Sequence, residues 1–400
     1  MKELIVEDFT SEIKAIIEEA EQFRLKPNIV SDMMDHEGNQ YVDLVQEGGG
    51  VLGIALLGYT YILEKAGIRF LSLAGTSAGA INTLLLAALK EDEKITKSER
   101  ILEYLVRKDL FEIVDGDDSI KRFIQSYLDG EKITYRFRYL FLLIKAIIIL
   151  IFRLGINPGK NFENWIADIL KQNGINNTDE LSNRQKELPG LTLRGAKETG
   201  DIRKRVVLVT SDITTQNLVY LPEMAEQYWE DPGKINPARY LRASMSIPLF
   251  FRPVKIKPCN PDVKLPGKIR FVDGGLLSNF PISVFHREDR IPRMPTFGVR
   301  LCADKKPYNK TNRLSSFLWA MIKTMKQLYD TDFLNKHPDY KYLICHLNTD
   351  NKFNWLDFNM KPENKLALFN IGATEAMKFI KGFEWERYKK IRREVYNIKG

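Results

Sequence analysis

The chain has 400 residues, of which 44% are hydrophobic and 28% charged, a composition that excludes a fibrous or largely disordered protein. Its formal net charge of +8 favours an anionic partner, either a nucleic acid or an anionic membrane surface, although ordinary surface charge would produce the same value. No zinc-finger, helix-turn-helix or aromatic–basic RNA motif is present, so we expect no nucleic-acid partner.

Cysteine use and the N-terminus indicate the compartment. Cys259, Cys302 and Cys345 are far apart and form no C-x-x-C pair, which supports neither a zinc site nor a disulfide framework. A reducing, intracellular compartment is the simplest interpretation. Acidic residues come early at the N-terminus with no apolar run behind them, so we expect no secretory signal peptide.

The predicted elements up to residue 90 alternate between helix and strand. They are, in chain order, an amphipathic helix over 10–24, a strand at Tyr41–Val45, a helix over 52–65 that ends before Gly67, a strand at Ile68–Leu73 and a helix at Ala78–Lys90. The β-α-β-α succession predicts a layered α/β fold with a parallel sheet.

This alternation stops at about residue 95 and resumes at about residue 200, which predicts an insertion in one α/β core rather than two separate domains. We expect loops at Asn173–Asn177 and Asn183–Gly200, strands at Val206–Val209, Lys268–Val272, Thr296–Leu301 and Lys341–Cys345, and a basic, helical C-terminus from about Lys365. The predicted divisions are an N-terminal helical segment (1–40), a catalytic α/β domain (41–300) and a C-terminal extension (301–400) packed on the core.

A glycine-rich loop follows the first predicted strand. Gly48, Gly50 and Gly53 fit G-x-G-x-x-G, the spacing of a dinucleotide-binding loop. That function requires an acidic residue after the next strand to bind the ribose hydroxyls, and none follows Ile68–Leu73. Phosphate binding stays open as the alternative to a loop that presents its amides to an oxyanion.

The strand Ile68–Leu73 leads instead into a G-x-S-x-G pattern, Gly75 to Gly79, before the next helix. Small residues around a serine permit the sharp turn of a nucleophile elbow. We therefore predict that Ser77 is a catalytic nucleophile near the positive end of that helix. A glycine-rich turn needed only for packing is the alternative. Acyl transfer also needs backbone N–H donors for its oxyanion, and we assign Gly48, Gly49 and Gly50 to that role.

The serine needs a base. The chain contains four histidines, His36, His286, His337 and His346. None of them has a sequence context that singles it out as a base. Asp273 follows the predicted strand Lys268–Val272 and precedes Gly274 and Gly275, and sites in α/β proteins assemble at strand ends. An ordinary Asp-Gly turn is the alternative.

Four motifs occur in the order EGGGVLG, GTSAG, RASMSIPLFFRP and DGGLLSNFP, and together they resemble those of the patatin-like phospholipases over residues 42–300. The resemblance implies a three-layer α/β/α fold with a mainly parallel central sheet and a helical insertion at about 95–200. It also implies a Ser–Asp dyad without histidine, in which Ser77 attacks, Asp273 takes its proton and Gly48–Gly50 form the oxyanion hole.

Other residues of these motifs match structural positions of the family, namely Gly53, Gly75, Gly79, Gly274, Gly275, Asn279, Pro281 and the segment from Ala243 to Pro248. A free aspartate, with a pKa of about 3.9, is a weak base for an alcohol, and burial raises that pKa. One position departs from the pattern, because Leu52 stands where many members have Arg or Lys. Leu52 cannot supply whatever that positive side chain contributes to phosphate binding or loop anchoring. The backbone N–H donors of the glycine loop do not depend on this side chain.

An apolar segment, Tyr139–Phe152, is interrupted only by Lys145 and is short of the about 20 residues of a membrane span. On a helix, Arg138, Lys145 and Arg153 would form a basic stripe. A helix in the membrane interface or a lid over an acyl-chain channel is favoured, and both indicate a lipid substrate. A buried core element and a true span are the alternatives.

These features predict a lipid acyl hydrolase, of phospholipase A or lysophospholipase type, that works through a seryl-acyl intermediate. The expected partners are a phospholipid or other acyl-lipid substrate and an anionic membrane surface, and an oligomer stays open. We expect no cofactor and no metal site, and a cytoplasmic location with peripheral membrane association. The alternatives are an acyltransferase, or a membrane-associated effector or scaffold with weak catalysis, which Leu52 would favour.

Overall fold

The computed structural model describes residues 4–90, 92, 95–121, 136–195, 202–258, 265–301, 311–312, 314–349 and 352–397. The helices are α1 (Val6–Glu12), α2 (Lys14–Leu25), α3 (Gly53–Lys65), α4 (Ala78–Ala88), α5 (Lys97–Val106), α6 (Arg136–Arg153), α7 (Lys160–Gln172), α8 (Thr178–Lys186), α9 (Pro237–Ser244), α10 (Leu314–Lys336), α11 (Pro362–Gly382) and α12 (Trp385–Tyr396). The strands are β1 (Met33–Met34), β2 (Gln40–Gln46), β3 (Ile68–Thr76), β4 (Gly155–Asn157), β5 (Thr192–Leu193), β6 (Val206–Asp212), β7 (Asn217–Leu221), β8 (Leu249–Phe251), β9 (Val254–Ile256), β10 (Ile269–Asp273), β11 (Thr296–Arg300) and β12 (Ile344–His346).

Within the described part of the chain, ten strands form one sheet, whose main path runs β12-β11-β2-β3-β6-β10-β9. The five strands from β12 to β6 are parallel, whereas β10 is antiparallel to both β6 and β9. Strands β4 and β8 form a separate parallel pair. The predicted α/β fold with a mainly parallel sheet flanked by helices is therefore confirmed.

The main hydrophobic core lies around α3, whose side chains are buried along most of its length. Phe369 of α11 packs against Phe9 of α1 and Tyr61 of α3, with ring centroids 5.3 and 5.7 Å apart. The C-terminal extension thus contributes α11 to the core and β12 to the edge of the sheet. Its separation from the catalytic domain at residue 300 stays a prediction.

Several predicted boundaries differ from the structure. The predicted helix over 10–24 is two helices, because the chain leaves helical geometry at Ile13. The predicted loop Asn183–Gly200 is wrong in part, since α8 continues to Lys186 and β5 pairs with β1. Tertiary pairing of a two-residue strand has no periodic signal in the sequence. Residues 196–200, Cys259 and Cys302 lie outside the described residues.

The apolar segment Tyr139–Phe152 lies within α6. Large side chains on this helix are exposed, among them Phe141, Ile148 and Phe152, so it is not a buried core element. Where the structure describes the chain, no helix combines the length and apolarity that crossing a membrane requires. Lys145 pairs with Asp117 at 2.6 Å, and the side chain of Arg138 lies outside the described residues.

Candidate active site

Strand β6 brings the ends of β3 and β10 together. Thr76, the last residue of β3, pairs with Val209, and Asp273, the last residue of β10, pairs with the next residue, Thr210. Strand β7 pairs with both of these β6 residues and occupies the opposite edge. A strand has only two edges along which it can pair. Since β7 occupies one edge of β6 at these residues, β3 and β10 both lie along the other edge, and their ends meet there. Ser77 follows Thr76 directly and therefore leaves the sheet beside Asp273.

Ser77 forms a sharp turn between β3 and α4. Its backbone has φ 52° and ψ −116°, a conformation that costs a residue other than glycine roughly 1–3 kcal/mol. A side chain at Gly79 would approach the carbonyl oxygen of Gln46 to 2.3 Å, so only glycine fits beneath the turn. The sharp strand-to-helix turn that a nucleophile elbow requires is therefore present at Ser77, and this serine is buried.

One short segment contacts both predicted dyad residues. The Ser77 N–H donates to Ser244 Oγ at 3.0 Å, and the Ser77 hydroxyl donates to Met245 Sδ at 3.3 Å. The Asp273 N–H donates to the carbonyl oxygen of Ser246 at 2.8 Å. The segment Ser244–Ser246 therefore fixes the position of β3's end relative to that of β10.

The buried side chain of Arg242 holds this segment in place. Its guanidinium donates to Ser246 Oγ at 2.6 Å and to the carbonyl oxygens of Pro158 and Arg252 at 2.7 and 2.8 Å. Burial lowers the pKa of Arg242 to about 10, which leaves the group charged at neutral pH. The RASMSIP motif thus supplies a rigid support that sequence reasoning could name only by resemblance.

The glycine loop lies against the serine. A side chain on Gly48 would come within 3.1 Å of Ser77 Cβ, and the Gly48 N–H donates to the Asn279 carbonyl oxygen at 3.0 Å. Asn279 Nδ2 in turn donates to the Gly48 carbonyl oxygen at 3.0 Å. The Gly48 amide thus already has an acceptor, which it would have to exchange in order to serve as an oxyanion donor.

Asp330 is a functional candidate that sequence reasoning missed. Its carboxyl group accepts hydrogen bonds from Ser278 Oγ at 2.7 Å, the Asn279 N–H at 3.0 Å and the Phe280 N–H at 2.8 Å. Burial raises the pKa of Asp330 to about 7, against the hydrogen bonds from Ser278 and Phe280, which lower it. Asp330 thus connects α10 to the loop that follows Asp273.

Comparison with known proteins identifies the family. The model of the family described as patatin-like phospholipase matches residues 44–286. The chain belongs to the patatin-like phospholipase family. This patatin-like chain is also 32% identical over 345 residues to the uncharacterized protein YqhO of Bacillus subtilis (strain 168), which covers 85% of the chain and 98% of YqhO. The crystal structure of VipD from Legionella pneumophila aligns with a TM-score of 0.41 and 16% identity, over 88% of the chain and 70% of VipD.

Patatin-like phospholipases are lipid acyl hydrolases, so at the family level this chain is a hydrolase of acyl lipids. The remaining motif glycines of this patatin-like chain are distributed as follows: Gly53 begins α3, Gly75 lies near the end of β3, and Gly274 and Gly275 form the turn after β10. The Gly275 N–H donates to Asp273 Oδ1 at 2.8 Å and orients the carboxylate. Leu52 is buried in the main core, where an apolar side chain anchors the loop by packing.

A cavity of about 80 Å³ adjoins the turn that contains Ser77 and Ala78. Gly50, Ala78 and Met245 are among the residues that line it, and Met245 Sδ also accepts a hydrogen bond from the Ser77 hydroxyl. It extends between helices, past Leu57 of α3, Leu85 of α4, Leu105 of α5 and Trp165 of α7. Its lining is almost entirely apolar, which is suited to a hydrocarbon chain.

Proposed function

We propose that the protein is a serine-dependent lipid acyl hydrolase, of phospholipase A or lysophospholipase type, with Ser77 as nucleophile and Asp273 as base. The proposal rests on the observation that β3 and β10 meet at one edge of β6. The segment Ser244–Ser246 is hydrogen-bonded to both Ser77 and Asp273. A dyad requires a serine hydroxyl and a base within reach of each other, and the adjacent ends of β3 and β10 support that arrangement.

In the proposed mechanism, Asp273 takes the Ser77 proton as Oγ attacks the ester carbonyl carbon. The amides of Gly49 and Gly50 donate to the oxyanion, where loss of one donor typically costs about 3 kcal/mol of barrier. Asp273 then gives its proton to the departing oxygen, which leaves as an alcohol or a lysolipid. Water, deprotonated by Asp273, then attacks the acyl-serine, the ester bond to Ser77 Oγ breaks, and Asp273 returns the proton to that oxygen as the fatty acid is released.

The hydroxyl of Ser77 donates to Met245 Sδ before substrate enters. A thioether is a weak acceptor, so this bond is readily exchanged for one to the carboxylate. The same Met245 lines the apolar cavity. We infer that the acyl chain enters along Met245 and frees the hydroxyl as it passes, with its carbonyl carbon left beside Ser77.

Chain-length preference tests the acyl-chain pocket. Leu105→Trp fills the cavity on α5, and each methylene left in water costs about 0.8 kcal/mol, so excluding three costs roughly 60-fold. We expect kcat/KM for long-chain p-nitrophenyl esters to fall by about that factor, with short-chain esters little changed. Leu188→Trp, an exposed leucine outside the cavity, is the matched control. An unchanged chain-length profile in Leu105→Trp would remove the pocket from the proposal.

We also propose peripheral association with an anionic membrane through α6. Phe141, Ile144, Ile148, Ile151 and Phe152 are all exposed, and helical spacing puts them on one face. Monomeric soluble proteins seldom expose so many large apolar side chains together, whereas interfacial helices do. The net charge of +8 favours anionic headgroups.

This apolar face is connected to the active site through the β4–β8 pair. Gly155, just after α6, pairs with Leu249, which is itself exposed. Leu249 lies a few residues beyond Met245, which lines the cavity. We infer that a lipid leaves the membrane surface along Leu249 and reaches the cavity at Met245.

Vesicle binding tests the interfacial role. We expect the double variant Phe141→Asp, Ile148→Asp to bind phosphatidylglycerol vesicles about 10–100-fold more weakly in cosedimentation, since two large side chains lose their apolar surroundings. Ile213→Asp places the same change at an exposed isoleucine in the turn after β6 and should bind as wild type does. Equal binding of all three proteins would show that α6 is not the membrane contact.

A further inference from the structure

A cluster away from the dyad joins two histidines and one glutamate. His286 Nε2 and His337 Nε2 lie 3.6 and 3.9 Å from Glu288 Oε1, and the three ligand atoms are all within 4.8 Å of one another. Ligands of a tetrahedral zinc ion bind at about 2.0–2.2 Å, which places them roughly 3.3 Å apart. Binding an ion therefore requires an inward movement of exposed Glu288 and of the two imidazoles.

The other nitrogen of each imidazole is already held. His286 Nδ1 is bonded to Tyr340 Oη at 2.8 Å, and His337 Nδ1 is bonded to Tyr396 Oη at 2.5 Å. Tyr396 Oη also donates to Asp339 at 3.3 Å, so it can accept from His337. In the tautomers that carry the proton on Nδ1, each Nε2 has the lone pair that a metal ion needs, and this is the arrangement typical of metal-ligating histidines.

His286 has a buried ring nitrogen with no hydrogen-bond partner. Its side chain is only 10% exposed, and Nε2 faces the space between His337 and Glu288. An orphaned buried polar atom normally has a partner that is water or an ion.

Neighbouring side chains hold the two imidazoles in place and neutralise the nearby positive charge that would repel a metal ion. The Phe333 ring packs against both of them, with centroids 5.1 Å from His286 and 4.3 Å from His337. The nearby cation Arg392 is neutralised by buried Asp339, 2.9 Å away. The carboxylate of Glu288 then leaves the cluster with one net negative charge toward an incoming cation.

We propose that His286, Glu288 and His337 bind a divalent transition-metal ion, with Zn²⁺ as the best fit and water at the fourth position. Two imidazoles and one carboxylate suit a borderline-soft ion that accepts tetrahedral geometry. The ion would connect the turn after Ile282–Phe285 to the end of α10. Asp330 on α10 holds Phe280 of the adjoining loop, so the role is to stabilise the scaffold behind Asp273.

Metal titration of the chelator-treated, tag-free full chain tests the site. We expect one equivalent of Co²⁺ to give the visible absorption of a tetrahedral complex, and Zn²⁺ to displace it and raise the Tm. Glu288→Gln, on an exposed side chain that should not disturb folding, removes both effects. Tyr396→Phe keeps the ligands but loses the support of His337, and should weaken Zn²⁺ binding about 10–100-fold.

The control is Glu230→Gln, another exposed glutamate, which should bind as wild type does. No stoichiometric binding by wild type would overturn the proposal. So would Zn²⁺ affinity in Glu288→Gln equal to that of wild type, because the metal would then be elsewhere. Both results are independent of acyl hydrolysis.

Discussion

Ser77→Ala is expected to abolish labelling by a fluorophosphonate probe and to lower acyl-ester hydrolysis by about 10⁴-fold or more. The probe forms a covalent bond only to an activated serine Oγ and releases fluoride, so removing that oxygen removes the reaction. Loss of a catalytic nucleophile leaves only the contribution of oxyanion stabilisation and binding. Labelling measured by fluorescence after electrophoresis and fatty-acid release measured by mass spectrometry give independent readouts.

Ser182→Ala on α8 is the matched control, since it removes a hydroxyl from a serine outside the site. Labelling in wild type and Ser182→Ala, but not in Ser77→Ala, is the expected result. Equal labelling of Ser77→Ala would show that another serine reacts. Absence of labelling and of fatty-acid release in all three would favour the effector or scaffold, in which the fold is kept without catalysis.

The sequence predicts the first half of the core and the serine turn well, because their signals are local. The strand, glycine loop and helix from Tyr41 to Lys65 have clear apolar patterns, and the turn at Ser77 needs glycine below it at Gly79. Asp273 is also found from local features, as an acid at the end of a short strand. The structure then adds the register on β6 that brings it to the serine.

The supports of the site could not be predicted, because they come from contacts between distant segments. Asp330 reaches Ser278 and Phe280 from another helix, and no pattern around Asp330 distinguishes it from an ordinary helical acid. His286 and His337 likewise meet only through the packing of Phe333 and two tyrosines. The oxyanion assignment of Gly48 has the same weakness, since its bond to Asn279 is invisible in sequence.

These supports explain how a strained serine is kept in a buried site. The backbone N–H of Ser77 donates to the hydroxyl of Ser244, the last residue of α9. Arg242 of the same helix holds this segment by donating to Ser246 Oγ. Strain at a catalytic residue persists only where surrounding contacts over-determine it. The buried hydrogen bonds of Arg242 and Asp330 supply such contacts on the two sides of the proposed dyad.

Asp273→Asn should lower kcat/KM for acyl esters by about 10²–10⁴-fold, the usual contribution of a positioned general base. The amide keeps the size of the side chain, and its oxygen can still accept from the Gly275 N–H, so the fold should be retained. Because hydroxide must then take the Ser77 proton, the residual rate should rise with pH more steeply than that of wild type. Asp35→Asn, a buried carboxylate before β2, is the control for the substitution itself. Wild-type activity in Asp273→Asn, with the Tm unchanged, would exclude Asp273 as the base and leave the serine to be activated by another group.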